Sequence, residues 1–252
     1  MSRINHVVII GSNSLAKSLY KVSRRLGLDN ILLNDLSNGI NADIVIETEN
    51  SSRERKRRAI QEIEMNVSVE TTILSTVLRL PATEVASWLE NSSRLVGFGA
   101  FGFIEEAELV EIAPALQTNV SHLGIIQAFL RDYLGKETEI VDDEVGLVFP
   151  RILAMIVNEA AFALMEKTAD ADDIDEAMKK GTNYPYGPLE WAEKIGLEDI
   201  YAVLQGLFEQ LGEDRYRPAP LIRKLIYAGW TGEETQKGFY YYQNRLRNEV
   251  MQ

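Results

Sequence analysis

Up to about Pro150 the chain alternates short apolar runs with stretches of helical periodicity, a pattern that a sheet with helices packed on its faces satisfies. His6–Gly11 reads as a buried strand. Leu15–Leu26 has apolar residues at 15, 19, 22 and 26 and stops at Gly27, as an amphipathic helix does. Asn30–Asn34, Asp43–Glu47 and Thr72–Ser75 read as further strands, with a helix over about 52–65. Thr83–Glu90 looks helical, Leu95–Phe98 and Glu108–Ile112 strand-like, Ser121–Leu134 helical, and Glu139–Val141 is the last expected strand. From Pro150, which suits the first turn of a helix, the pattern is helical throughout. It is punctuated by Gly181, the Tyr184-Pro-Tyr-Gly-Pro188 loop, Gly196, Gly212 and Gly229. The expected division is therefore 1–146 and 147–252, with a polar tail, Gln243–Gln252, expected to fray.

One interval is too short for a complete doubly wound sheet. Between Asp35 and Asp43 lie seven residues, Leu36–Ala42. Fully extended they span about 23–25 Å, at roughly 3.3–3.6 Å each. A parallel crossover normally needs about 10–12 residues. The direct passage leaves no room for a helix or an outer strand, which predicts a truncated α/β domain. The other possibility is a hairpin at Asn38-Gly39 with the third strand antiparallel.

Composition removes several function classes. Cys is absent, so disulfide frameworks, thiolate metal sites and cysteine nucleophiles are excluded. His occurs only at 6 and 122, each read as structural or solvated, and no metal site is expected. The net charge of −12 argues against generic nucleic-acid or anionic-membrane binding. The apolar run Val7–Ile10 is too short for a signal peptide or a span, so a cytoplasmic location and no membrane partner are expected. One basic run stands out, Arg53-Glu-Arg-Lys-Arg-Arg58. Its ordinary reading is a solvated helix face, and its alternative a phosphate-binding patch.

Gly11-Ser-Asn13-Ser-Leu-Ala16 stands where a Gly-x-Gly-x-x-Gly/Ala loop would join the first strand to the first helix. In such a loop the first Gly makes the turn, the second admits a pyrophosphate at a helix N-terminus, and the third small residue lets helix and strand pack. Asn13 can adopt positive φ, but its side chain takes space the cofactor would need. Asp35 sits where a ribose-binding acid belongs. A dinucleotide loop and a plain βαβ turn both remain open on these residues.

The second half is more specific. Val157-Asn-Glu-Ala160 is followed by Asp172-Asp-Ile-Asp-Glu-Ala-Met-Lys-Lys-Gly181 and Tyr184-Pro-Tyr-Gly-Pro-Leu189. Then come Ile195-Gly-Leu197, Tyr216-Arg-Pro-Ala-Pro-Leu-Ile-Arg-Lys224, Ala228-Gly-Trp230 and Lys237-Gly-Phe-Tyr240. In order and spacing this resembles the C-terminal domain of 3-hydroxyacyl-CoA dehydrogenases, continuously from about Leu95 to Tyr242, and more loosely before that. The resemblance implies a Rossmann-like NAD-binding domain, here truncated, followed by an all-α dimerisation domain. It implies NAD as cofactor, an acyl-CoA as small-molecule ligand and a homodimer. The absent stretch after Asp35 is where the family carries a helical arm that touches coenzyme A.

The resemblance also implies a His as general base, oriented by a Glu. The family's Gly-x-His-Phe-Phe-Asn-Pro run reads here Gly97-Phe-Gly99-Ala-Phe-Gly102-Phe103, followed by Leu109-Val-Glu111. Glu111 is kept and the His position is Gly99. The family Asn before Arg151 is Pro150, and the Ser pair after the fourth strand is replaced by Leu78-Arg79. Glu49-Asn50 resembles a cofactor-side Glu-Asn and could equally cap the next helix. A catalytically impaired member with weak or lost NAD binding is the expected reading. The alternative is an active dehydrogenase whose reorganised site uses Glu111.

Overall fold

The computed structural model of the chain describes residues 4–28, 30–36 and 41–250, with the side chains of 245–250 outside the description. The chain forms two units, Met1–Phe149 and Pro150–Gln252.

The first unit is built on strands β1 Val7–Ile10, β2 Ile31–Leu33, β3 Ile44–Glu47, β4 Thr72–Thr76, β5 Leu95–Gly99, β6 Leu109–Pro114 and β7 Glu137–Ile140, in the order β2-β1-β3-β4-β5-β6-β7. β1 pairs in parallel with β2 on one side and with β3 on the other, Val7 lying beside Ile44. The hairpin possibility is thereby overturned. Residues 37–40, including Asn38-Gly39, lie outside the description. With β3 directly beside β1, β2 is the edge, which is the truncation that the short interval predicts. A second departure from a uniformly parallel sheet is β6, which runs antiparallel to β5 while β7 is parallel to β6.

Helices α1 Ser14–Arg25 and α4 Val120–Leu134 cover one face of the sheet, burying Leu15, Leu19 and Val22 with Ile126, Phe129 and Leu130. Helices α2 Arg53–Asn66 and α3 Ala82–Ala86 cover the other through Ile60, Ile63, Ala82 and Val85. Full burial of one such side chain is worth roughly 1.5–3 kcal/mol. α3 stops short of the predicted Glu90. Glu64 of α2 accepts from the amides of Glu90 and Asn91 at 3.1 and 3.3 Å, drawing that segment out of the helix.

The second unit consists of α5 Phe149–Met165, whose first residue closes the first unit, then α6 Ala171–Thr182, α7 Pro188–Ile195, α8 Leu197–Leu211, α9 Pro220–Tyr227 and α10 Phe239–Val250. α8 is the core helix, with Leu197, Ile200, Val203, Leu204 and Leu207 buried. The family-like motifs meet here on buried polar groups. The Asp175 carboxylate accepts from the amides of Leu189 and Glu190 at 2.8 and 2.7 Å and from the Tyr240 hydroxyl. Gly187 is required beside it, since a Cβ there would come within 2.1 Å of the Asp175 Cβ. Asn158 donates to Arg217 O at 3.0 Å and accepts from Ala219 N at 2.8 Å, holding the turn before α9. Of the polar tail, residues 251 and 252 lie outside the described residues, and its first residue is anchored. Gln243 is buried in α10 and its side-chain carbonyl accepts from Ala171 N at 2.5 Å.

Candidate functional site

Because β1 to β5 are parallel, their C-terminal ends share one edge of the sheet, where doubly wound folds hold ligands. The predicted positions of the first unit gather there. Gly11 follows β1 with φ +146°, and a Cβ on it would lie 2.0 Å from Thr48 Oγ1, so glycine is required. Its N–H donates to Asn34 Oδ1 and its carbonyl accepts from Asn34 Nδ2, both at 2.8 Å.

Asn13 does not adopt positive φ; it sits extended, at φ −75° and ψ 176°, as the N-cap of α1. Its Oδ1 accepts from Ala16 N at 3.1 Å and from Thr48 Oγ1 at 2.9 Å, and its Nδ2 donates to Thr48 O at 2.7 Å. The carboxamide therefore takes a helix N–H that would otherwise face an anion, and ties the loop to the end of β3. Ala16 is fully buried against the sheet, the packing role foreseen for it. Asp35 is exposed, two residues beyond the last residue of β2.

Glu49 does not cap α2. That role belongs to Ser52, which accepts from Arg55 N at 3.2 Å, while Glu49 accepts from Ser51 N at 2.6 Å. Asn50 is buried and accepts from Thr76 Oγ1 at 2.7 Å. Beneath this loop lies a buried ion pair that sequence reasoning missed. Lys56 Nζ donates to Glu47 Oε2 at 2.6 Å, to Glu49 O at 2.9 Å and to Thr76 Oγ1 at 3.1 Å. Ser75 Oγ adds a bond to Glu47 Oε2 at 2.6 Å. Three acceptors saturate the ammonium group, which a buried charge requires. The signal was available: Lys56 shares the i, i+4, i+7 stripe of Ile60 and Ile63.

Gly99 and Glu111 are direct cross-strand partners in the β5–β6 ladder. Side chains so placed have Cβ atoms about 4.5–5.5 Å apart, the spacing at which a base and an orienting carboxylate could meet. Here one of the two has no side chain. Glu111 is buried to 8% exposure, its Oε2 accepting from Val148 N and its Oε1 from Phe149 N, each at 2.8 Å. It thus caps the point at which α5 begins. Two residues past Gly99 an aromatic group begins: Phe101 lies 6.2 Å from Phe103 and 6.3 Å from Phe149, centroid to centroid. Leu78 is buried, and Arg79 donates to Ser51 O at 2.8 Å.

His122 accepts or donates at 2.7 Å to Thr72 Oγ1, and its burial holds its pKa below the ordinary value. It begins α4, away from the strand-end edge, as the structural reading expects. In the second unit Arg151 donates to Tyr216 Oη at 2.5 Å and stacks on that ring, so it serves packing there. Among the described residues there is no cluster of three His, Asp or Glu suited to a metal ion, and no helix long and apolar enough to cross a membrane.

The sequence matches the family model for the 3-hydroxyacyl-CoA dehydrogenase NAD binding domain over residues 15–144 and that for the C-terminal domain over 146–242. A 3-hydroxybutyryl-CoA dehydrogenase of Bradyrhizobium diazoefficiens is 34% identical over 210 residues, which is 83% of this chain and 70% of that protein. One from Mycobacterium tuberculosis is 27% identical over 250 residues, 94% and 86% of the two chains. The crystal structure of (S)-3-hydroxybutyryl-CoA dehydrogenase from Ralstonia eutropha superposes with a TM-score of 0.76 at 27% identity, covering 94% of this chain and 99% of that one. With both domain models matched in order over nearly the whole chain, this protein belongs to the 3-hydroxyacyl-CoA dehydrogenase family.

Proposed function

We propose that this chain is an impaired member of its family. On this reading it keeps the frame for the NAD-dependent oxidation of 3-hydroxyacyl-CoA to 3-ketoacyl-CoA but lacks the means to perform it, and it serves as a binding or assembly protein. The observation that carries the reading is the Gly99–Glu111 pair. A glycine accepts no proton, and both oxygens of its partner are engaged by backbone N–H groups. Loss of a general base alone costs about 10²–10⁴ in rate.

The alternative, with Glu111 itself as base, needs that carboxylate released from Val148 and Phe149. NAD binding is weak on this reading, because the Asn13 carboxamide, bonded to Ala16 and Thr48, occupies the anion position of the loop. The discriminating experiment measures NADH formation from 3-hydroxybutyryl-CoA by wild type, Gly99→His and Glu111→Gln. Wild type should stay at background, and Gly99→His should gain less than about tenfold, since Leu78 and Pro150 leave the substrate unpositioned and positioning is worth about 7–11 kcal/mol. Robust wild-type turnover abolished by Glu111→Gln would overturn the proposal.

The helical unit is assigned a homodimer. Most of the α8 apolar surface is consumed internally, with Leu211 left exposed at its end, whereas α5 leaves Ile152 55% and Met165 39% exposed, with Met155, Ile156 and Phe162 half-buried along the helix. Light scattering should give a dimer mass at micromolar concentration, and Ile152→Glu should return it to monomer. The location assigned to it is cytoplasmic.

A further inference from the structure

The run Arg53–Arg58 is the motif that the strand-end site leaves unused. It occupies the first two turns of α2, where Lys56 turns inward while Arg53, Arg55, Arg57 and Arg58 are exposed. Arg53 pairs with Glu84 at 2.8 Å. Arg55, Arg57 and Arg58 have no ion pair among the described residues. Other exposed cations do pair with carboxylates at short range, Arg131 with Asp132, Lys180 with Glu176 and Arg215 with Glu213. Among the described residues Lys21, Lys167 and Arg223 stand alone as these three arginines do, but singly rather than clustered.

This placement works against the helix. Cations are unfavourable at a helix N-terminus and anions at its C-terminus, yet α2 sets four exposed arginines against a single acid, Glu54, in its first two turns and carries Glu62 and Glu64 last. Arg53 with Arg57, and Arg55 with Arg58, are also like-charge neighbours at i, i+4 and i, i+3, and Glu54, spaced i, i+3 and i, i+4 from Arg57 and Arg58, offsets only part of that positive charge. All this occurs on a chain of net charge −12. A bound anion relieves the mutual repulsion, and phosphate oxygens match the guanidinium fork. The helix begins just past the C-terminal end of β3, at the ligand edge, where Arg79 also reaches Ser51 O.

We infer that the exposed arginines of α2 form a phosphate-binding surface for the nucleotide end of a coenzyme A thioester. The identity of that ligand rests on the acyl-CoA reading above; the arginine surface does not. The probes are coenzyme A, pantetheine, acetoacetyl-pantetheine and adenosine 3′,5′-bisphosphate, titrated calorimetrically against wild type and the triple variant Arg55→Gln/Arg57→Gln/Arg58→Gln. Wild type should bind coenzyme A at least about tenfold more tightly than pantetheine, with the advantage shrinking as salt rises from about 50 to about 300 mM. The triple variant should lose the advantage while melting at or above the wild-type temperature, because the helix dipole favours the change. Unchanged coenzyme A binding by the triple variant overturns the surface, as does a wild type that binds coenzyme A no better than pantetheine. Acetoacetyl-pantetheine binding with no coenzyme A advantage removes the surface and keeps the acyl reading. Arginine-dependent binding of the bisphosphate with no acetoacetyl-pantetheine binding keeps the surface and removes the acyl reading.

Discussion

Two buried carboxylates, one in each unit, make the same kind of backbone contact in different company. Glu111 accepts from the amides of Val148 and Phe149 where α5 begins, and Asp175 accepts from those of Leu189 and Glu190 where α7 begins. Asp175 keeps its third partner, the Tyr240 hydroxyl, and the glycine that makes room for it. Glu111 faces Gly99. Asp175 satisfies groups that burial would otherwise leave without partners, whereas the position opposite Glu111 has no side chain to meet it. The cap that Glu111 places on α5 accounts for its presence without any chemistry.

The largest effect expected to test this contrast is on stability. Asp175→Ala strands two amides and a hydroxyl in a site 1% exposed, and should cost about 3–5 kcal/mol. Glu111→Ala, whose two amides belong to exposed residues that water can reach, should cost about 1–2 kcal/mol. Denaturant unfolding of both variants gives the comparison, and equal losses would show the two caps to be equivalent.

A smaller effect concerns the loop. Asn13→Gly removes the cap on α1 and its bonds to Thr48, and should improve NAD⁺ affinity by no more than about tenfold, or 1.4 kcal/mol. A wild-type isotherm already tight at micromolar NAD⁺ would show that Asn13 accommodates the pyrophosphate.

The smallest is a pH dependence. Burial pushes the pKa of Asp175 up, and burial does the same to Glu193, which accepts from Tyr240 N at 3.2 Å. The charges facing Asp175 include Glu190, and Glu193 feels Asp175 and Glu233. A carboxyl whose folded pKa is raised holds its proton more tightly in the folded state. Its penalty is absent below the unfolded pKa and fully present above the folded one. The helical unit should therefore lose stability as pH rises through the raised folded values, and Glu193→Gln should flatten that slope. A slope of the same size in the variant would assign the dependence to other groups.

Much of the fold was legible because it rests on local pattern. The period of Leu15, Leu19 and Val22, the short apolar runs and the helix-starting prolines each report burial along one element. The boundary at α3 was not, because Glu64 lies far away in sequence from the amides it captures. The Glu47–Lys56 pair was half legible: the stripe with Ile60 and Ile63 marks Lys56 as inward-facing, but nothing in the sequence names Glu47 as its partner.

The sequence by itself determined the family, the absence of any side chain at position 99, and the shortness of the passage after Asp35. These are matters of residue identity, order and chain length. Only the tertiary structure decided that β3 runs parallel to β1, that Asn13 turns back onto its own helix and Thr48, and that Glu111 faces Gly99 while capping α5. Each depends on groups distant in sequence whose hydrogen bonds must be satisfied in three dimensions, and a linear pattern carries no record of which donor meets which acceptor.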